Sequence, residues 1–404
     1  MRYIAIVECT DAGGFEIGMA VMQMGYYPVF ILNPEGYKAD LLASLANFKI
    51  IESDTTNADN IVLAIKQFDE KIIGLTTLVD SRMAVTTEAA EKSDLLGPDH
   101  ACIILKDKGH VAKLCEEYSL PTLSFKKDLD KAALLNFLPE KSIILKKRQG
   151  CGAVGIKYLH TKSQRINFLK KTANLEDWIA QEYFDGRLYS IEGFVSENNI
   201  TFLGWTSRKK IQNTETEFRF VGFDTVNEII TSQAKDAITL LLKRAHYQKG
   251  WFHIEFLINF EKNEIALIDA NIGRTGGAML PHVLAMSHKQ TASNIYQHAI
   301  EMQLFGKSNI KIESNKNDTS IYKCICYGSP TETVIQQIIL PRVKLLNSGM
   351  RVINILGEGT VVSKIGTDDW SWIGFVAGEE NKVDQFASKI KIKTNSNQLL
   401  PASF

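Results

Sequence analysis

A chain of 404 residues, 45% of them hydrophobic, is long enough for two to four domains with cores of their own. Its 46 basic and 46 acidic residues cancel, which argues against a global nucleic-acid footprint or strong attraction to a membrane surface. No apolar run approaches membrane-spanning length, and the opening "MRYIAIVECTD" reaches two acids before a signal segment could be completed, so the cytoplasm is the expected compartment.

The opening "MRYIAIVE" predicts a strand, and "DAGGFEIGMAVMQMGY" a glycine turn leading into a helix. "YPVFIL", "NFKII" and "KIIGLTTL" predict three more strands, the last preceded by the helical "NADNIVLAIKQFD". This alternation predicts a small parallel α/β domain over residues 1–95. Its turn "GGFEIG" is not GxGxxG, so a plain strand-to-helix turn is preferred to a dinucleotide site.

A helix is expected in "DKGHVAKLCEEYSLPTLSF", followed by the strand "KSIILKKRQGCGAVGIKYL". Between Lys141 and Lys171 there are nine Lys or Arg residues and no acid, which by itself reads as a solvated charge run. Lys146 and Lys147, however, directly follow an apolar strand and border the glycine-rich "GCGAVG", where ammonium and backbone N–H groups can converge on phosphates. A strand pair covers "WIAQEYFDGRLYSIEGFVSENNITFLGWTSR", and "KKIQNTETEFRF" reads as a polar loop. A helix fits residues 225–248, and "GWFHIEFLINF" and "EIALIDAN" read as antiparallel strands joined by "EKNE". From about residue 311 the chain predicts a small α+β or mostly β module. There Cys324 and Cys326 share a strand face, with packing preferred over metal binding; six cysteines without a CxxC pair make no disulfide framework.

In the hairpin of residues 251–271, side-chain alternation places His253, Glu255 and Leu257 on one face of one strand and Asp269 and Asn271 on one face of the other. If the two faces coincide, Glu255, Asp269 and Asn271 form an open wall of hard oxygen ligands, suited to Mg²⁺ accompanied by polyphosphate. The competing reading of Glu255 is a solvent-facing strand acid. His253 and His282 read as structural histidines ahead of substrate contacts. No GxSxG elbow and no Walker loop is present, so hydrolase and P-loop readings lack their minimum features.

Five stretches, in order, resemble the ATP-grasp superfamily, above all its carboxylate-amine (amino acid) ligases and biotin-carboxylase-like members. They are "KDKGHVAKLCEEYSLPTLSF", "IILKKRQGCGAVGI", "IAQEYFDG", "GWFHIEFLIN" and "LIDANIGRTGG". The resemblance implies Lys108 and Lys146 as nucleotide lysines, and a phosphate-covering loop of Gly150, Gly152 and Gly155. It implies an adenine hinge in which Glu182 accepts from the exocyclic amine and the backbone of Tyr183 and Phe184 completes the edge contact, with Leu257 under the purine. It further implies Glu255, Asp269 and Asn271 as metal ligands, Arg274 at the reacting centre, and Arg208, ahead of Lys209 and Arg219, for a substrate carboxylate.

The implied fold is α/β and α+β. It combines the N-terminal parallel domain (1–95), an ATP-grasp small lid domain with its connecting helix (96–180), an ATP-grasp large domain with the metal site (181–310) and the C-terminal α+β module (311–404). The implied reaction joins a small carboxylic acid or amino acid to an amine through an acyl phosphate, with ATP and one or two Mg²⁺ ions, Mn²⁺ able to substitute. A homodimer is compatible with the resemblance, whereas nucleic-acid and membrane partners are not expected. Three departures stand out. Asp269 replaces the usual Glu. Both Ile272 and Gly273 separate Asn271 from Arg274, where one residue is usual. Leu188 and Tyr189 stand where many relatives carry a ribose-binding acid, so ribose recognition is either weaker or comes from elsewhere, with Glu192 the candidate. The alternatives are a biotin-carboxylase-like activator of bicarbonate and a non-catalytic nucleotide-binding scaffold.

Overall fold

The computed structural model describes the chain except residues 11–12, 38, 152–154, 198, 213, 278, 313–319, 343–348 and 368–370. The first part contains β1 (Arg2–Val7), α1 (Gly14–Gln23), β2 (Tyr27–Leu32), α2 (Ala39–Ser44), β3 (Lys49–Glu52), α3 (Ala58–Lys66), β4 (Lys71–Thr76) and α4 (Met83–Lys92). Its strands pair in parallel in the order β3-β2-β1-β4. After their exposed first residues β1 and β2 are buried throughout, which is why they read as unbroken apolar runs. The segment "MAVTTEAAEK" of α4 has no clear apolar stripe and takes its place by packing on α3 and β4.

After α5 (Ala101–Ile104) comes α6 (Lys108–Glu117), whose first turn is capped by Asp107 accepting from the N–H groups of Gly109 and His110. Then follow β5 (Phe125–Lys126), α7 (Lys131–Asn136), β6 (Ile143–Lys147), β7 (Lys157–Leu159), α8 (Lys162–Lys171) and β8 (Trp178–Glu182). They form an antiparallel sheet, β5-β8-β6-β7, over a small core that includes Leu134, Leu145, Trp178 and Ala180. Within the basic run Arg165 is 1% exposed. Its guanidinium donates to the carbonyl oxygens of Leu134, Phe137, Leu138 and Lys141 at 2.6–3.3 Å, so one member of that run is a core brace.

The middle of the chain supplies β9 (Arg187–Ser196), β10 (Asn199–Ile211), β11 (Thr214–Val221), α9 (Glu228–Arg244), β12 (Gly250–Asn259), β13 (Glu264–Ile272), α10 (Leu280–Ser287) and α11 (Ala292–Phe305). The segment "KKIQNTETEFRF", expected as a polar loop, is instead the end of β10, a turn and most of β11. Thr214, Thr216 and Phe218 alternate inward, and threonine suits a strand although a hydrophobicity pattern scores it as polar.

The remainder contains β14 (Tyr322–Tyr327), β15 (Thr333–Ile339), β16 (Arg351–Asn354), β17 (Val361–Val362), β18 (Gly374–Glu379), α12 (Glu380–Ala387), β19 (Lys391–Thr394) and β20 (Leu399–Pro401). Strands β14, β18 and β16 extend the central sheet, whose order is β13-β12-β9-β10-β11-β14-β18-β16, while β17-β15-β19-β20 forms a sheet of its own. Cys324 and Cys326 are fully buried in the core that α1, α10 and α11 share with the central sheet. Among the described residues no helix is long and apolar enough to cross a membrane.

The Arg165 brace has a measurable consequence. Arg165→Met should remove a donor from four carbonyl oxygens, of which that of Leu138 keeps the Lys141 N–H, and destabilise the β5–β8 unit by roughly 2–4 kcal/mol. Hydrogen exchange should then accelerate in β6 and β8 while the β1–β4 sheet keeps its protection; unchanged exchange in β6 and β8 would refute the brace.

Candidate active site

The two faces of the β12–β13 hairpin do coincide. His253 lies opposite Asn271 and Glu255 opposite Asp269, with a register slip just after Glu255. On the other side of β12, His253 faces Glu192 and Glu255 faces Ser190 of β9. Two polar rows therefore cross the sheet, while Phe252, Ile254 and Phe256 point the other way into the core with Ile230 and Ile238 of α9.

Each acid of this wall already has a partner. Lys108 Nζ lies 3.0 Å from Asp269 Oδ2 and donates to the Gly150 carbonyl at 2.8 Å, so it links the acid-bearing wall to Gly150. Burial opposes its charge, but Asp269, Asp80 and Glu255 together raise its pKa. Lys146, at the end of β6, is buried as well. Burial, reinforced by Lys108, outweighs Asp269 and Glu255 and brings it down to about 8. Glu255 Oε1 is 3.1 Å from His253 Nε2, and His253 Nδ1 is 2.6 Å from Glu192 Oε1. Burial resists ionisation of both acids, yet His253 and Arg208 hold Glu192 and Glu255 below the usual carboxylate range. The same two acids raise His253 in spite of its burial.

Glu192, expected at the ribose, has no exposed surface. Its carboxylate accepts from Ser190 Oγ at 3.0 Å and from the Gly276 N–H at 3.4 Å as well as facing His253. It therefore orients His253, and its acceptors are engaged within the sheet. His253, read as a structural histidine, is satisfied on both nitrogens but joins the wall directly.

Arg208 is also on this wall. Its guanidinium donates to Glu215 at 2.7 Å, lies 3.0 Å from His253 Nε2 and stacks 4.4 Å from the centre of the Phe218 ring. Lys210 reaches the same Glu215 at 3.3 Å. Arg219 is occupied elsewhere, 2.9 Å from Glu380, and Lys209 is exposed.

A cavity between α6, β6, β8 and β13 is lined by Lys108, Cys115, Lys146, Ile179, Gln181 and Leu267, among others. Because β8 alternates, Ile179 and Gln181 reach this cavity while the Glu182 carboxylate turns away to Lys141 at 2.7 Å. The Tyr183 N–H donates to the Ser142 carbonyl at 3.0 Å, so that N–H is taken up within the sheet. Phe184 follows directly, Leu257 is half-buried beside Glu255 on the wall side of β12, and Gly152 lies outside the described residues. Gln181 was not legible as a site residue; a strict period-two count along "WIAQE" would have separated it from Glu182.

Arg274 Nε lies 3.5 Å from Asp80 Oδ1, and its Nη1 donates to the Thr275 carbonyl at 2.8 Å. The extra residue that displaces this arginine, Gly273, has φ +83°, and a Cβ there would sit 2.6 Å from Met83 Sδ and 2.9 Å from Cys102 Sγ. Glycine is required by both conformation and space. Asp80 was missed in the sequence, although it follows β4 at the carboxyl end of a parallel strand, where α/β sheets place ligand-facing residues.

Residues 105–274 match the family model for the ATP-grasp domain. No curated protein sequence matches the chain. Among solved structures, L-amino acid ligase from Bacillus licheniformis superimposes with a TM-score of 0.78 at 14% identity, covering 97% of this chain and 98% of that one. Phosphoribosylglycinamide synthetase from Anaerococcus prevotii gives 0.73 at 17% identity over 97% and 99%. Biotin carboxylase from Campylobacter jejuni gives 0.72 at 14% identity over 99% and 92%. At these identities the likeness is one of fold. The domain match thus places an ATP-grasp domain over residues 105–274, and the likeness of fold extends over nearly the whole chain.

The lowered pKa of Lys146 predicts the pH dependence of nucleotide binding. Lys146 is mostly protonated at pH 7 and mostly neutral at pH 9, and phosphate binding requires the charged form. The dissociation constant for MgATP should rise roughly tenfold between those pH values. Titration calorimetry should show this slope in the wild type and lose most of it in Lys146→Met; an equal slope in both would show that Lys146 is not the titrating group.

Proposed function

We propose that the protein is an ATP- and Mg²⁺-dependent carboxylate-amine ligase that joins an amino acid or small carboxylic acid to an amine, releasing ADP and phosphate. The observation that carries this reading is a single polar wall: Glu255, Asp269 and Asn271 on adjacent strands, Lys108 and Lys146 beside them, and Arg208 and Arg274 on either flank.

The donor set fits Mg²⁺. Two carboxylates and an amide offer hard oxygens, and the two acids are partnered by Lys108 and His253. Among the described residues no three His, Cys, Asp or Glu side chains gather to hold an ion unaided, as suits a cation that arrives with a polyphosphate supplying further oxygens. Bound there, Mg²⁺ would neutralise charge on the β- and γ-phosphates.

A carboxylate and an amine do not condense in water because the departing oxygen is a poor leaving group. Phosphorylation turns that oxygen into a phosphate, and the chain's part is alignment and charge neutralisation. Lys108 and Lys146 would hold the α- and β-phosphates. Arg208 would orient a substrate carboxylate, and Arg274 would stabilise the acyl phosphate and the tetrahedral centre formed by amine attack. The Glu192–His253 pair would keep Glu255 in place, and the glycine loop that touches Lys108 would exclude water from the acyl phosphate.

The test is phosphate release from MgATP across pairs of amino acids, small acids and amines, with mass spectrometry of the products. An amide product is expected. Turnover only with bicarbonate would favour a carboxylase, and nucleotide binding without turnover across the panel would favour a binding scaffold. Lys146→Met and Asp269→Asn should each reduce turnover by about 10²-fold or more while leaving the fold intact by circular dichroism; full activity in either would sink the role assigned to that residue.

A further inference from the structure

The guanidinium of Arg274 is held from outside its own hairpin. The side chain is 10% exposed, Nη1 bonds the neighbouring Thr275 carbonyl, and the buried Nε has no hydrogen-bond partner. The opposite charge beside it belongs to Asp80, which stands after β4 in the N-terminal α/β domain. Asp80 is itself braced, its second oxygen lying 2.6 Å from Lys106 Nζ.

The loop that carries Arg274 is docked on the same strand end. The Gln303 side chain accepts from Thr76 Oγ1 at 2.6 Å and donates to the carbonyls of Thr77, at 2.7 Å, and of Gly273. The Gly273 N–H is tied to the Trp251 carbonyl at 2.7 Å, and Gly273 is wedged against Met83 and Cys102. The N-terminal domain thus sets both the height of the loop and the charge facing the arginine.

The geometry also separates this contact from an ordinary structural ion pair. A carboxylate free to close on a guanidinium takes two parallel hydrogen bonds. Here Lys106 engages one oxygen of Asp80, and the other stands 3.5 Å from Nε without forming a hydrogen bond. The arginine is attracted by Asp80 without giving up a donor to it. Burial resists ionisation of Asp80, but Arg274, Lys106 and Lys108 hold its carboxyl at about 2, so the attraction is constant over any working pH.

We propose that Asp80, braced by Lys106, is the positioning residue for Arg274, so that the N-terminal α/β domain aims the displaced arginine at the reacting phosphate. This rests on the ligase reading above, in which Arg274 faces the reacting centre. The aim that a one-residue spacing would build into the hairpin is supplied instead by a charge from another domain.

Two measurements on the full chain test it, using Asp80→Asn, Asp80→Glu, Arg274→Ala and the double variant Asp80→Asn/Arg274→Ala. The first needs no turnover: phenylglyoxal labelling of Arg274, followed by peptide mass spectrometry. Labelling should be several-fold faster in Asp80→Asn, whose side chain keeps the size of the original, and return toward the wild-type rate in Asp80→Glu. An unchanged rate in a folded Asp80→Asn protein overturns the proposal. The second is turnover, where Asp80→Asn should lower kcat about a hundredfold with MgATP affinity unchanged, and should cost nothing further on the Arg274→Ala background. Losses that multiply in the double variant, or a weakened MgATP affinity that accounts for the whole effect, overturn it as well. If Arg274→Ala retains full turnover, or no acid and amine pair reacts in the wild type, it is the ligase role of Arg274 that fails. The labelling rates then decide by themselves whether Asp80 positions Arg274.

Discussion

Charges on the cleft face of the central sheet are held largely out of water, and a buried charge must be paired. Most of the site follows from that constraint. Glu192 faces His253, His253 faces Glu255, Lys108 faces Asp269, and Arg208 and Lys210 share Glu215. The two acids of the hairpin and Lys108 are thereby held in contact with opposite or hydrogen-bonding partners. Lys146, with too little acid beside it to offset its burial, is the member whose charge is least secure.

That wall is assembled from elements far apart in the chain. The hairpin contributes the acids, α6 and β6 each contribute one lysine, β9 supplies the Glu192 that faces His253, β10 supplies Arg208 and β11 its partner Glu215, and Asp80 follows the last strand of the N-terminal sheet. The last segment takes part too, since β14 extends the same sheet beyond β11 and Trp372 donates to the Glu215 carbonyl at 2.7 Å. A cleft with contributions from every region needs each to dock in a defined place, and the shared core of α1, α10, α11 and β14 does this for the two ends of the chain.

The parts legible in the sequence were those governed by local periodicity. The parallel first sheet could be read because its central strands are continuous apolar runs, and the shared polar face of the hairpin because "GWFHIEFLIN" and "LIDAN" alternate polar and apolar residues over several positions. Local rules failed where composition misled. The threonines of β11 disguised a strand as a loop, and Arg165 was lost in a basic run that is otherwise largely exposed. At the hinge a carboxylate was favoured over its neighbour, although Glu182 and Gln181 must face opposite sides of β8.

By itself the sequence determined which side chains share a face within one strand and the order of the stretches that resemble an ATP-grasp domain, because both depend only on spacing along the chain. Tertiary structure decided which faces meet. The pairing of Glu192 with His253, which withdraws an acid expected at the ribose, depends on the register between β9 and β12. The pairing of Asp80 with Arg274 depends on how the first domain docks against the loop after β13. Register and docking are set by the summed burial of many side chains, a property of the folded chain as a whole that no single stretch contains.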